Sequence, residues 1–331
     1  MDDTNRSQEQ GTGLTFADMS INIPRVTNQP IETAIGKCQR FQDLTILEKV
    51  FFILMLASIV TAACFTIYRM STLARTEPDF TFCIFLLVNA AFCIYFTVDS
   101  ILRERPSELI VLMITQFVIL LYLIINYAAG KKNDVKLSRL VIACLFCPVL
   151  LVMGGIITKQ YIVSGHLIFR TVGASENLQK LYRNVLYFQD GLKFDLQLGV
   201  SLVILVLDGD DGVETHEIII LSIGLVANIV YFLLGWFAFE REIKYLAIIY
   251  WIIGLLEFGY VFWKIYDVSF YVTKFAGLAG ATLTCIVADI LMRTFLLIGS
   301  YFVYRNFGKG LKDRKAGSST FQNNSAIETN S

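Results

Sequence analysis

Uncharged apolar runs of about 20 residues recur along the chain, and they constrain its fold more than any other feature. A bilayer hydrocarbon core roughly 30 Å thick is crossed by about 20 residues of α-helix, because each residue rises about 1.5 Å. Of the 331 residues, 55% are hydrophobic and 17% are charged, which is more apolar than an ordinary soluble domain. We therefore predict an all-α fold, a polytopic transmembrane helical bundle.

Eight such runs are predicted to cross the bilayer. The fifth is short and begins beside Lys193, Asp195 and Gln197, so a bundle of seven spans is the alternative. We keep the fifth span because the apolar residues before it recur at three-and-four spacing, which predicts an amphipathic helix that continues into the membrane. The predicted spans are residues 50–68, 80–98, 109–129, 140–158, 192–207, 218–239, 245–266 and 278–304.

Two polar tails flank the predicted helical domain, which covers residues 46–305. Residues 1–45 and 306–331 are predicted to be disordered, and the first span is expected to direct membrane insertion itself. With eight spans both tails lie on one side, and about twice as many Lys and Arg residues belong to that side as to the other. Basic residues resist translocation, so we predict that both termini are cytoplasmic.

Several polar side chains fall at mid-membrane depth in the predicted spans. Each ionised one costs about 2.5–3.5 kcal/mol at the centre of a span and usually faces a partner or a water-filled cavity. Residues three and four apart share a helix face, so each of the last three spans carries one polar stripe. We predict an intramembrane polar cluster composed of Asn89, Asn228, Glu257, Asp289 and Arg293.

Two interpretations of Asp289 and Arg293 remain open. They are four residues apart, so they can form an ion pair within one helix that lowers the cost of insertion and docks the helix against its neighbours. Alternatively, Arg293 neutralises one acid, Asp289 or Glu257, and leaves the other to take up a proton or a cation. In the second interpretation Glu257 is the titrating residue.

A second polar row leads into the fifth span, where Arg183, Asp190 and Gln197 recur at intervals of seven with Lys193 between them. One interpretation is a cytoplasmic vestibule lined by Asp190, Lys193, Asp195 and Gln197. The other is an amphipathic helix that lies on the lipid headgroups with its Lys and Arg side chains toward water.

Catalytic and metal-binding patterns are weak throughout the sequence. Cys144 and Cys147 form a C-x-x-C inside an apolar helix and have no second pair. The acidic connector at residues 207–217 does not keep the EF-hand register, so we interpret it as a solvated turn, with weak calcium binding as the alternative. Neither H-E-x-x-H nor a nucleophile elbow is present. We predict a protein that is not an enzyme and has no cofactor, resident metal or nucleic-acid partner.

The lipid bilayer is the predicted partner, and a small ion or solute is the partner of the polar cluster. A basic cluster follows the last span and attracts anionic lipid by about 1 kcal/mol per charge near the membrane surface. Ordinary positive-inside anchoring is the alternative interpretation of these residues. They are Arg305, Lys309, Lys312, Arg314 and Lys315.

Two segments are candidates for an internal repeat. Residues 85–96, FLLVNAAFCIYF, and residues 223–234, IGLVANIVYFLL, share a Leu-Val, a central Asn and an aromatic end. Two halves of four spans each would align them, and chance within so limited an alphabet also explains the similarity.

Three stretches resemble a eukaryotic group of uncharacterised multi-pass membrane proteins: LLVNAAFCIYFTVDSILRERPSEL, KFDLQLGVSLVILVL and YWIIGLLEFGYVFWKIYDV. The resemblance covers residues 48–305 and implies a multi-pass membrane fold, without an activity or site residues. Two classes of function therefore stay open. One is a channel or transporter built around the polar cluster, and the other is a receptor-like or scaffold protein whose buried charges serve helix packing.

The Glu257 hypothesis generates a direct test. Replacing Glu257 with Gln removes the titrating carboxyl group while keeping its shape, so we expect pH-dependent flux or ligand binding to be lost. Flux into reconstituted vesicles measured at several pH values checks this expectation, and unchanged pH dependence would contradict it.

Overall fold

The structure is a computed structural model that describes residues 31–33, 36–73, 78–129, 134–165, 168, 172, 175–206, 215–271 and 276–309. Eight long helices occupy these ranges, and each contains most of one predicted span. The prediction of an all-α helical bundle is therefore confirmed. The helices are α1 (Ile46–Thr72), α2 (Pro78–Leu102), α3 (Pro106–Ala129), α4 (Asp134–Ser164), α5 (Glu176–Val206), α6 (Thr215–Glu240), α7 (Lys244–Tyr271) and α8 (Ala276–Tyr304).

Within the described residues, five helices are long and apolar enough to cross a membrane by length and composition. They belong to α1, α2, α4, α6 and α8, while α3 and α7 contain shorter apolar stretches. The helix that made the span count ambiguous, α5, is a single helix of 31 residues. It joins the predicted amphipathic segment to the predicted fifth span without a break.

The helices form two units of four. In the first unit α1, α2, α3 and α4 contact one another in sequence, and α4 also contacts α1. The second unit repeats this arrangement, because α5 to α8 contact in sequence and α8 packs extensively against α5. Short connections between successive helices make neighbours antiparallel, as in other four-helix bundles. The units meet mainly where α5 packs on α2 and α3, so α5 has partners in both.

Each unit has its own apolar core. Phe51, Met55, Phe96, Leu109 and Ile157 are buried between the helices of the first unit. The core of the second is richer in rings, with Phe188, Tyr231, Phe239 and Tyr250 packed together. Many large apolar side chains are exposed on the outside of the bundle, as expected where lipid replaces water around the protein.

The turn between the second and third helices is built alike in both units. Glu104 and Glu242 have positive φ angles of 53° and 55°. In the first turn the Arg105 amide donates to the Ser100 carbonyl at 2.9 Å, and in the second the Ile243 amide donates to the Ala238 carbonyl at 2.9 Å. A left-handed backbone costs a residue with a Cβ roughly 1–2 kcal/mol. Two such turns at equivalent positions indicate that the units share a common plan.

The described part of the amino-terminal segment is ordered, in contrast to the predicted disorder of residues 1–45. A short antiparallel hairpin pairs β1 (Ile31–Thr33) with β2 (Gly36–Cys38). The Gln39 amide then donates to the Leu102 carbonyl at 2.8 Å, and Leu44 is buried. Thr45 and Glu48 form a reciprocal capping box that starts α1. The contact with Leu102 holds the amino-terminal segment against the end of α2. It joins residues far apart in the sequence, so local composition does not predict it.

Several sequence predictions lie outside the described residues. These are the tails at residues 1–30 and 310–331, which include Lys312, Arg314 and Lys315 of the basic cluster, and the connector at residues 207–214. The side chains of residues 215–217 and of Glu257 are also outside the description.

Close approach between α5 and α6 depends on a glycine. A Cβ added to Gly199 would lie 1.8 Å from Nδ2 of Asn228, well inside van der Waals contact. Small residues allow helices in membranes to approach closely, and here the amide of Asn228 fills the space that Gly199 leaves.

Replacing Gly199 with Ala is therefore expected to destabilise the protein by about 1–3 kcal/mol through overpacking. Gly224→Ala is the matched control on α6, because the only contact recorded there for the new Cβ is Val203 at 3.9 Å. Thermal unfolding of the purified proteins in detergent measures the difference. Equal melting temperatures for the two variants would contradict the packing argument.

Candidate functional site

Helix α5 carries an unusual set of buried polar side chains. Each is at most 5% exposed, so each must find a partner among other helices or bear the cost of desolvation. These side chains point in more than one direction, because residues two apart, such as Asp195 and Gln197, are roughly 200° apart around a helix. The set comprises Gln189, Asp190, Lys193, Asp195, Gln197 and Ser201.

One side of α5 joins an ionic network at the α2–α3 turn. Lys193 Nζ lies 2.7 Å from Asp99 Oδ2 and also contacts Glu108. Arg105 Nη1 lies 2.6 Å from Asp190 Oδ1, and the Ser107 hydroxyl donates to the same carboxylate. We call the six charged members the ionic network: Asp99, Arg103, Arg105, Glu108, Asp190 and Lys193.

This network is balanced, with three acids and three bases that are all at most 8% exposed. Arg103 Nε completes it by pairing with Asp99 Oδ1 at 2.9 Å. Burial works against the charge of Arg105 in the turn, but Asp190 and Glu108 outweigh it and raise the pKa of Arg105 above its ordinary value. The guanidinium therefore remains a fixed positive charge, and the network has no formal excess of either sign.

Lys193 also connects the network to aromatic rings. Its Nζ lies 5.4 Å from the ring centroid of Tyr95 on α2 and 5.7 Å from that of Trp236 on α6. Such cation–π contacts are worth about 2 kcal/mol when desolvated. Through this one side chain α5 contacts α2, α3 and α6.

A second charged group lies between α5 and α8. Arg293 Nε lies 2.9 Å from Asp289 Oδ2 and 3.7 Å from Asp195 Oδ1, and its guanidinium carbon is 5.6 Å from the ring centroid of Tyr231. All three charged residues are at most 6% exposed. We call Asp195, Asp289 and Arg293 the charged triad. The triad consists of two carboxylates and one guanidinium.

Amide side chains occupy two further contacts of α5. Gln197 Nε2 donates to Asn89 Oδ1 at 2.7 Å, and Asn89 Nδ2 donates to the Ser201 hydroxyl at 3.0 Å. Asn228 lies against Gly199, on the side of α5 roughly opposite Gln197. Both polar side-chain atoms of Asn228 are buried and have no hydrogen-bond partner among the described residues.

The predicted polar cluster is thus divided by α5. Asp289 and Arg293 do come together, and Asn228 lies one turn from Tyr231 on the same region of α6. Asn89 belongs to the α2 side and pairs with Gln197 instead. The backbone of Glu257 lies in α7, but its side chain is outside the described residues, so its predicted role stays a prediction.

The structure also corrects both interpretations of the polar row before the fifth span. Asp190, Lys193, Asp195 and Gln197 are buried against other helices, so they neither line an open vestibule nor face water above the headgroups. Of the four residues of that row, Arg183, Asp190, Lys193 and Gln197, only Arg183 is exposed. A polar stripe looks the same in sequence whether it faces water or a complementary helix, and here its complement is the α2–α3 turn.

Three site residues were not predicted from the sequence, because charged residues at the ends of the spans were considered only for membrane orientation: Asp99, Arg105 and Glu108. The signal that could have found them is the mixture of signs. Acids beside the bases in DSILRERPSE suit an ionic partner better than they suit a purely basic anchor.

Comparison with known families gives one match. The model described as Domain of unknown function (DUF7789) matches residues 35–160 and 172–301. The chain belongs to this family. Neither the curated proteins nor the solved structures gave a match. The family agrees with the resemblance to an uncharacterised group, and it supplies no activity for the charged residues.

The two segments matched by the family model coincide with the two structural units, α1–α4 and α5–α8. The equivalent turns at Glu104 and Glu242 are a further similarity between the two units. The similar segments around Asn89 and Asn228 lie on equivalent helices of the two units.

Removing Lys193 tests the ionic network. Lys193→Met leaves Asp99 and Glu108 buried without their shared cation, so we expect a loss of about 3–5 kcal/mol in stability. Lys180→Met is the matched control on the same helix, because Lys180 is 60% exposed in its pair with Glu176 and its loss should change stability by less than about 0.5 kcal/mol. Thermal unfolding in detergent measures both.

The double variant Lys193→Met/Glu108→Gln separates charge from packing. It removes one uncompensated carboxylate, so it should recover part of the stability lost in the single variant. A double variant as unstable as the sum of its single changes would contradict the network.

Proposed function

We propose that this membrane protein conducts or transports protons or a small cation through a site formed by the charged triad. The observation that supports the proposal is the sharing of one guanidinium, Arg293, between two buried carboxylates, Asp195 and Asp289. A buried carboxylate oxygen without a donor is costly in a low-dielectric interior, and a bound proton or monovalent cation would satisfy Oδ1 of Asp289.

The position of the triad agrees with such a role. Asp289 lies near the middle of α8, roughly 20 Å of helix from either end. Its Oδ2 accepts from Arg293, while Oδ1 has no hydrogen-bond donor among the described residues. That oxygen is the atom to which we assign the incoming proton or cation.

Tyr231 provides a route from the triad to α7. Its ring lies against Arg293, and a Cβ added to Gly254 would lie 2.8 Å from the Tyr231 hydroxyl oxygen. Gly254 is three residues before Glu257, so the two positions share a face of α7. This placement supports Glu257 as a further member of the proposed ion pathway.

A scaffold or receptor-like role is the second candidate, and the ionic network favours it. Its six charges are balanced and buried at contacts between helices, an arrangement that specifies which helices pair. In that case the triad only holds α8 against α5. Arg293 then stabilises this helix contact and has no part in ion binding.

Flux measurements on purified protein in sealed vesicles distinguish the two candidates. With a pH-sensitive dye inside and a panel of monovalent cations outside, the proposal expects protein-dependent flux that Asp289→Asn and Asp195→Asn each reduce by at least about tenfold. Glu176→Gln is the control, because Glu176 is exposed at the start of α5. Arg293→Lys keeps the charge and is expected to retain part of the flux.

Two outcomes would contradict the transport proposal. One is the absence of flux from well-folded wild-type protein across the ion panel. The other is flux that both asparagine variants leave unchanged. Either result, combined with a loss of stability in the Arg293→Gln variant, would favour the scaffold role.

A further inference from the structure

A cavity of about 120 Å³ lies inside the first unit, away from both charged groups of α5. All four helices α1–α4 contribute to its wall, which is mostly aliphatic. A mostly apolar wall accepts hydrocarbon, and at about 30 Å³ per water the space holds roughly four water-sized groups. Representative lining residues are Ile59, Ala62, Leu86, Ile119, Leu120 and Ala143.

One cation lines this apolar space. Nε and Nη2 of Arg139 are buried and have no hydrogen-bond acceptor among the described residues. A guanidinium does not lose its proton in proteins, so the positive charge persists and calls for an anionic acceptor. The described lining residues contain no carboxylate that could serve.

Two other polar side chains of the lining have local partners. The Thr66 hydroxyl donates to the Ala62 carbonyl at 2.7 Å, and Gln116 Nε2 donates to Met55 Sδ at 3.2 Å. Both are donors satisfied within the unit, so neither offers Arg139 an anion. Arg139 is the only charged residue among the described lining residues.

The cavity has a polar end and an apolar end. Arg139 lies in the second turn of α4, toward the α3–α4 connection, and Cys147 lines the cavity two turns further along the same helix, roughly 12 Å away. A charged end and a short apolar interior match the headgroup of an amphiphile and the carbons next to it. The guanidinium fork also suits the paired oxygens of a carboxylate or a phosphate.

We propose that this cavity binds an amphiphile through the first few carbons of its hydrocarbon chain, and that its acidic headgroup, a carboxylate or a phosphate, pairs with Arg139. The site is independent of the proposed ion pathway, because it lies within α1–α4 while the charged triad lies between α5 and α8. A free fatty acid and an anionic phospholipid both present this chemistry.

The test uses the full chain in nanodiscs of neutral lipid, with a photoreactive long-chain fatty acid and the matching long-chain alcohol as probes. The acid should label α4 or its neighbours in the first unit, and Arg139→Gln should reduce that labelling by about tenfold or more, since a charge-assisted hydrogen bond is lost. Labelling by the alcohol should be weaker and unaffected. Arg183→Gln, an exposed arginine on α5, is the control.

A second variant tests the cavity itself. Ala143→Phe fills the space, so labelling by both probes should fall while the melting temperature without ligand stays near that of the wild type. If this variant does not fold, Arg139→Gln and Arg139→Lys still decide the headgroup, because the lysine variant should retain more labelling by the acid than the glutamine variant.

Competition distinguishes the two sources of headgroup. Displacement of the probe by unlabelled fatty acid alone identifies a free acid, and displacement by phosphatidic acid in the nanodisc identifies a phospholipid. Equal labelling of the wild type by acid and alcohol, or labelling by the acid that Arg139→Gln leaves unchanged, would overturn the proposal. Loss of triad-dependent flux would not, since the two sites are in different units.

Discussion

Pairing of buried charge between α5 and the α2–α3 turn is the interaction on which the arrangement of the two units depends. Lys193 and Asp190 on α5 contact Asp99, Arg105 and Glu108, and all five side chains are buried. A buried charge that loses its partner costs several kcal/mol, whereas a mismatched apolar contact costs less. The ionic network therefore determines which face of the second unit packs on the first, and the apolar cores fill in around it.

Much of the fold could be predicted from the sequence because lipid imposes a simple rule on backbone hydrogen bonds. Apolar runs of span length identified seven helices, and the three-and-four spacing before residue 192 identified the start of α5. The order around Leu44 and Gln39 could not be predicted, because it depends on Leu102, a residue far away in the sequence. Likewise the left-handed backbone at Glu104 and Glu242 could not be predicted, because neither turn contains the glycine that usually marks such a conformation.

The site was predicted in part, and the failures have one physical cause. Asp289 and Arg293 are four residues apart, so helical spacing alone brings them together. The third member of the charged triad, Asp195, comes from another helix, and periodicity gives no information about which helix faces which. Asp195 was instead assigned to a vestibule, since a polar stripe is expected to face water. For the same reason Asn89 and Asn228 were predicted to belong to one cluster, whereas they contact different sides of α5.

The two four-helix units differ at their first helix. In the first unit, α1 is apolar and exposes residues such as Ile53 and Val60 on its outer face. In the second, α5 is enclosed and carries charges that lipid alone cannot accommodate. Synthesis from the amino terminus delivers Asp99 and Glu108 to the membrane before Lys193 emerges from the ribosome. Because the first unit is made first, the counter-ions of α5 are already in the membrane when α5 is inserted. In the reverse order, a charged helix would be in hydrocarbon before its counter-ions were made.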